Sequence, residues 1–162
     1  MSESIERVVA SYLGTVEVDW EKLKPVMCFV VLWNRLEVKH GHHLTINKLE
    51  TSSASVAAKA SFDISRYSTH IAYFRHRYGQ SPQLLSSLLR TGEEPVVKKR
   101  IDGLIAGTLA TDKDNLEALL MIPYRIRNNL FHGRKDTAHL YGQSELFGQV
   151  NHVLCLFHVD LP

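Results

Sequence analysis

At 162 residues, 44% of them hydrophobic and 22% charged, the chain has the length and composition of one globular domain with one core. Its longest apolar run, "PVMCFVVLW" at 25–33, is far short of the roughly 20 residues that cross a bilayer. A formal net charge of +2 excludes a chain-wide attraction to nucleic acid, so any basic footprint has to be local.

Apolar residues recur at spacings of three and four along nearly the whole chain, without a long strict alternation, which predicts an all-α bundle of about six to seven helices over 1–162. The opening "MSESIERVV" lacks the basic start, apolar centre and small-residue cleavage site of a secretory signal, so the cytoplasm is the expected location. In "SIERVVASYLG", Ile5, Val8, Val9, Tyr12 and Leu13 share a face, and Gly14 stands just past the helix end. The next segment, 18–41, has Asp19 as candidate N-cap, Pro25 as a kink or late start and Gly41 as its stop. Being apolar nearly all round at its middle, it is expected to be the central helix. Cys28 and Cys155 both lie in apolar segments without a zinc-binding spacing and are expected to be buried thiols.

The stretch 43–63 carries a Ser/Thr cluster that fits a loop or a helix boundary. "DISRYSTHIAYFRHRYG" predicts a helix with Ile64, Tyr67, Ile71, Phe74 and Tyr78 on its apolar face and Arg66, His70, Tyr73 and Arg77 opposite. Ser81 and Pro82 open a short helix, and Thr91 with Glu94 forms a possible capping box before a helix containing Val97, Ile101, Leu104 and Ile105. Gly103 and Gly107, four apart, permit a close helix contact. The helix beginning in "TDKDNLEALLMI" meets Pro123, which predicts a break and a fresh start there. A last helix aligns Leu146, Val150, Val153, Leu154 and Phe157 and closes the bundle.

Pro123 and Gly133 bracket "RIRNNLFHGRK", a short segment dense in cations and amides. At 100° per residue Arg125, Asn128, Asn129 and His132 group within about 100°, whereas Arg127 points towards Leu130 and Phe131. His132 occupies the last turn, where the helix dipole favours its protonated form while Arg134 and Lys135 oppose it. Imidazole moves protons near neutral pH and guanidinium holds phosphate oxygens in a fork, a combination suited to phosphodiester chemistry without a metal. The plainer account is a cationic helix end with a half-exposed histidine.

The string "IRNNLFHG" resembles the R-x4-6-H signature of the HEPN superfamily, with a polar residue, Asn128, directly after the arginine and the motif ahead of a final packing helix. The resemblance implies a helical bundle acting as a homodimer. It implies Arg127 and His132 as a catalytic pair supported by Asn128, and metal-independent RNA cleavage through attack of the 2′-hydroxyl on the adjacent phosphorus. Residues five apart on one helix diverge by about 140°, and a composite site made by two copies accommodates that divergence. Arg125, Arg134 and Lys135 then attract or position the RNA backbone. No cofactor or metal is implied. Some toxins of this kind carry a tyrosine two residues after the histidine, the target of inactivating nucleotidylation. Position 134 here is arginine, and Tyr141 lies too far along to match. A bacterial toxin or defence effector is the expected role, with RNA, a second copy and a nucleotidyltransferase-like antitoxin as the implied partners. A non-catalytic HEPN-like module that binds a nucleotide, RNA or protein is the alternative.

Three other features fit less specific roles. Arg66, His70, Tyr73 and Arg77 mix cations with an aromatic ring and suit tracking an RNA backbone, or form an ordinary solvated face. "KHGHH" sets His40, His42 and His43 together without a partner carboxylate or cysteine in a metal-binding spacing, and no metal site is expected there. "VKKR" at 97–100 is a short charge run expected to face solvent.

Overall fold

The computed structural model of the chain describes residues 3–89, 95–131 and 140–161, and it is helical throughout, with no strand among them. Eight α-helices follow in order: α1 (Glu3–Tyr12), α2 (Trp20–Lys39), α3 (Ile46–Ala57), α4 (Ser68–Gly79), α5 (Pro82–Leu89), α6 (Pro95–Ala106), α7 (Asp112–Phe131) and α8 (Ser144–Asp160). Short 3-10 turns at Ile64–Tyr67 and Tyr141–Gln143 lead into α4 and α8. Asp19 caps α2 by accepting from the Lys22 amide at 3.3 Å, and Thr45 caps α3 through the Lys48 amide. The Ser/Thr cluster belongs to α3: Thr51 and Ser53 return their hydroxyls to the carbonyls one turn back, which satisfies them inside a helix. The capping box expected at Thr91 and Glu94 lies outside the described residues.

The central helix is α7, not α2. In α2 the buried positions are Leu23, Val26, Phe29, Trp33 and Leu36, one stripe at helical spacing, while Met27 and Val31 stay exposed. In α7 the residues Leu116, Ala118, Leu119, Leu120, Met121 and Ile122 are all fully buried, because α3, α5, α6 and α8 pack around it. An apolar run therefore marked α2, but the number of neighbours made α7 the core. Pro123 does not restart the helix either: α7 continues through it to Phe131. A proline in a helix interior costs about 3 kcal/mol. Burying each large apolar side chain of α7 contributes about 1.5–3 kcal/mol, so several together outweigh that cost.

α8 lies beside α2 and runs parallel to it. Asn151 Nδ2 donates to the Pro25 carbonyl at 2.8 Å and His158 Nε2 meets the Leu32 carbonyl at 3.0 Å, seven residues further along both helices. Phe29 packs its ring on Phe147 between them, with centroids 5.4 Å apart. Cys28 and Cys155 are exposed rather than buried, on the rim of a groove of about 620 Å³ between these helices. Their apolar sequence neighbours supply the core contacts while the thiols take the outward positions. The close approach that Gly103 permits is to Leu109 in the following turn, whose Cδ2 would stand 2.7 Å from a Cβ at 103. No described helix is long and apolar enough to cross a membrane.

Candidate functional site at the C-terminal end of α7

The end of α7 presents two sides, and the cations divide between them. On the α5 side, Arg125 Nε and Nη2 donate to the carbonyls of Leu88 and Leu89 at 3.4 and 3.3 Å. Asn129, one turn on, donates from Nδ2 to the carbonyls of Ser87 and Leu88 at 3.4 and 3.1 Å. These are the last carbonyls of α5, which have no amide of their own helix to accept from and sit at the negative end of its dipole. Arg125 is only 8% exposed and Asn129 4%. Arg125 was expected on an RNA-facing surface; its guanidinium instead caps a neighbouring helix, because α5 ends against that turn of α7.

On the α2 side, Arg127 Nη2 donates to Glu37 Oε1 at 3.0 Å and Nη1 donates to Asn128 Oδ1 at 3.2 Å. The Arg127 and Glu37 side chains are 27% and 20% exposed, so the pair is reachable from solvent. Glu37 lies in the last turn of α2, ninety residues from Arg127, and no local pattern pointed to it. Asn128 sides with Arg127 rather than with Arg125 and Asn129, which corrects the grouping read from helix angles. Leu130 packs partly buried against the core. His132, Gly133, Arg134 and Lys135 follow directly and lie outside the described residues.

Arg66, His70, Tyr73 and Arg77 do not form an open face. Arg66, in the 3-10 turn before α4, is ion-paired with Asp160 at the end of α8 at 2.7 Å, where Tyr67 also donates to that carboxylate. His70 is buried, with Nδ1 at 2.6 Å from Gln149 Oε1 and its ring edge-on to His152. Tyr73 is half-buried and accepts from Arg77 Nη1 at 3.4 Å, and the Arg77 guanidinium lies 5.9 Å from the Tyr78 ring centre. The reason is that α4 has a second neighbour: α8 covers the side that helical periodicity assigns to solvent.

His40 stands at the end of α2, where Nδ1 meets the Leu36 carbonyl at 2.8 Å and Nε2 meets Ser52 Oγ at 2.6 Å. Both ring nitrogens are thus engaged, and the Ser52 contact joins the end of α2 to α3. Lys48 donates to the carbonyls of His40 and His43, closing the turn that Gly41 and His42 make with positive φ. Among the described residues no three His, Cys, Asp or Glu side chains gather as metal ligands. In the "VKKR" run, Lys98 pairs with Asp102, while Arg100 bonds Asp114 and the buried Glu117 at 2.6 and 3.0 Å; only part of that run faces solvent.

The chemistry this end of α7 offers is a guanidinium preset in orientation by a carboxylate and an amide, at a helix terminus, five positions before a histidine. Sequence reasoning found Arg127 and Asn128; it missed Glu37. No protein-family model, no curated protein and no solved structure matches this chain.

Proposed function

We propose that the chain is a metal-independent endoribonuclease of the HEPN kind, cleaving RNA at a site built from Arg127, Asn128 and His132 and completed by a second copy in a dimer. The observation that carries this reading is the Arg127 side chain, held by Glu37 and Asn128 on the solvent-reachable side of the last turn of α7. A guanidinium fixed in this way is ready to stabilise charge on phosphoryl oxygens without reorganising during the reaction. His132 would take the proton of the attacking 2′-hydroxyl and return one to the leaving oxygen, giving a 2′,3′-cyclic phosphate. A toxin or defence effector is the role that fits such an activity.

The decisive experiment incubates single-stranded RNA with the wild type, His132→Ala and Arg127→Ala in excess EDTA and analyses the product ends. Cyclic phosphate ends made by the wild type alone support the reading. Undiminished cutting by His132→Ala overturns it.

A second reading has its own observation. Glu37 already neutralises Arg127, and a guanidinium so occupied suits a non-catalytic module that recruits RNA, a nucleotide or a protein partner. Binding of RNA by the wild type without any cutting across a broad substrate panel would select it.

A further inference from the structure

Thr51, Ser52 and Ser53 are successive hydroxyls on α3, and they do not behave alike. Thr51 and Ser53 donate to carbonyls one turn back. Ser52 instead meets His40 at the end of α2, with Oγ 2.6 Å from Nε2. The other ring nitrogen decides what that contact is. Nδ1 stands 2.8 Å from the Leu36 carbonyl, which can only accept, so Nδ1 carries a proton. In the neutral imidazole Nε2 is then the lone-pair nitrogen, and the short bond is the Ser52 hydroxyl donating to it. A hydroxyl bonded to a base whose tautomer a third group fixes is the arrangement that turns serine into a nucleophile. Here the third group is a backbone carbonyl.

A ligand has room to approach this pair. Ser52 and His40 are both half-buried and stand in the wall of two clefts, of about 320 and 290 Å³. Lys48 lines the smaller cleft with them. It lies four positions before Ser52 on α3, so the two side chains share a face of the helix. Its ammonium is anchored by the carbonyls of His40 and His43 at 2.6 and 2.9 Å, which take two of its three N–H donors and leave the third for a ligand. A positive charge fixed beside a nucleophile suits the oxygen that turns negative when a carbonyl group is attacked. Leu161 and Lys39 line the larger cleft, which offers the rest of the substrate an apolar contact and a second cation. Volumes near the lower end of the range for small-molecule sites call for a small substrate.

We propose that Ser52 and His40 form a catalytic pair, apart from the end of α7, that hydrolyses small carboxylic esters. Ser52 Oγ bonds to the ester carbonyl carbon while His40 Nε2 takes the hydroxyl proton, and the carbonyl oxygen becomes negative beside Lys48. As the intermediate collapses, the bond to the alcohol oxygen breaks and Nε2 returns the proton to that oxygen. The alcohol leaves, and the acyl group remains on Ser52. Water then attacks the acyl carbon, giving its proton to Nε2. Ser52 recovers that proton as its bond to the acyl group breaks, and the carboxylic acid departs. Water is the only co-reactant.

The test gives p-nitrophenyl acetate to the full chain, follows nitrophenolate by absorbance and locates the acetyl group by peptide mass spectrometry after an acid quench. A stoichiometric burst, an acetyl group on Ser52 and a slower steady release are expected. Ser52→Ala, which removes one hydroxyl from a half-buried position, abolishes the burst. His40→Gln lowers the rate of Ser52 acetylation about 100-fold, the loss typical of a general base. Acetyl groups on lysines but not on Ser52, or a burst that persists in Ser52→Ala, overturn the proposal. So does an unchanged rate of Ser52 acetylation in a His40→Gln chain with the wild-type circular dichroism spectrum. An acetyl group that forms on Ser52 and is never released to water overturns the hydrolysis as well. Should His40→Gln fail to fold, the labelled position in the wild type and the burst in Ser52→Ala still decide.

Discussion

Arg125 and Arg127 stand two residues apart on one helix, yet they meet different surroundings. Arg125 is buried and spends its donors on the carbonyls that end α5; Arg127 is half-exposed and held by a carboxylate from α2. Two positions along a helix is a turn of about 200°, enough to carry the same side chain from one neighbour to another. The lesson is that a basic motif is not one site. One cation maintains the fold, and the other lies within reach of solvent while a carboxylate maintains its orientation.

The contrast predicts opposite phenotypes. Arg127→Ala is expected to lower RNA cleavage by about 100-fold or more, in line with the loss of a group that acts on the transition state. Its thermal midpoint should stay close to the wild type's. Cleavage assays beside a melting curve would check both; a large loss of stability with cleavage intact would break the comparison. Arg125→Met is the counterpart. It strands the last carbonyls of α5 and should cost about 2–3 kcal/mol in urea unfolding, since hydrogen bonds from a charged donor are worth more than neutral ones. An Arg125→Met chain as stable as the wild type would show that the carbonyl cap contributes little.

Glu37→Gln is expected to have a smaller effect, about 1 kcal/mol or less on stability, because the pair with Arg127 is partly exposed and solvent screens it. Its sharper consequence is a severalfold loss of cleavage, as Arg127 loses the group that orients it. A double-mutant cycle with Arg127→Ala measures the coupling. No coupling in either stability or rate would detach Glu37 from the site.

The smallest effect expected is on pH dependence. Burial of His158 against α2, helped by the nearby charges of Lys39, Arg35 and His40, holds its imidazole below the ordinary value of 6.5, although its bond to the Leu32 carbonyl works the other way. The folded chain then binds fewer protons at His158 than the unfolded chain does. Its stability contribution is present above about pH 6.5 and is lost as pH falls through the lowered folded value. Melting points measured from pH 7.5 down to 5 should decline, and His158→Gln should remove part of that slope. An identical slope in the variant would exclude His158 as its source.

The helical class, the cap at Asp19 and the buried faces of α4 and α8 were legible in the chain, because each depends on neighbours within four residues. Tyr67, Ile71, Phe74 and Tyr78 are buried as their spacing predicts, and so are Leu146, Val150, Val153, Leu154 and Phe157. Arg127 and Asn128 were also legible as members of a motif. What they touch was not: Glu37 reaches Arg127 across ninety residues, and the neighbouring Asn129 donates to the Ser87 and Leu88 carbonyls of α5. Other features also depended on packing. Pro123 sits inside a helix because four others bury the segment around it, and His70 is covered because α8 lies over a face that α4 alone would leave open. Sequence by itself determined the local periodic structure, which hydrogen bonds one turn apart enforce. Tertiary structure alone decided which helix is central, which cysteines face outward and which arginine remains within reach of solvent, since each of these depends on what a distant segment places against it.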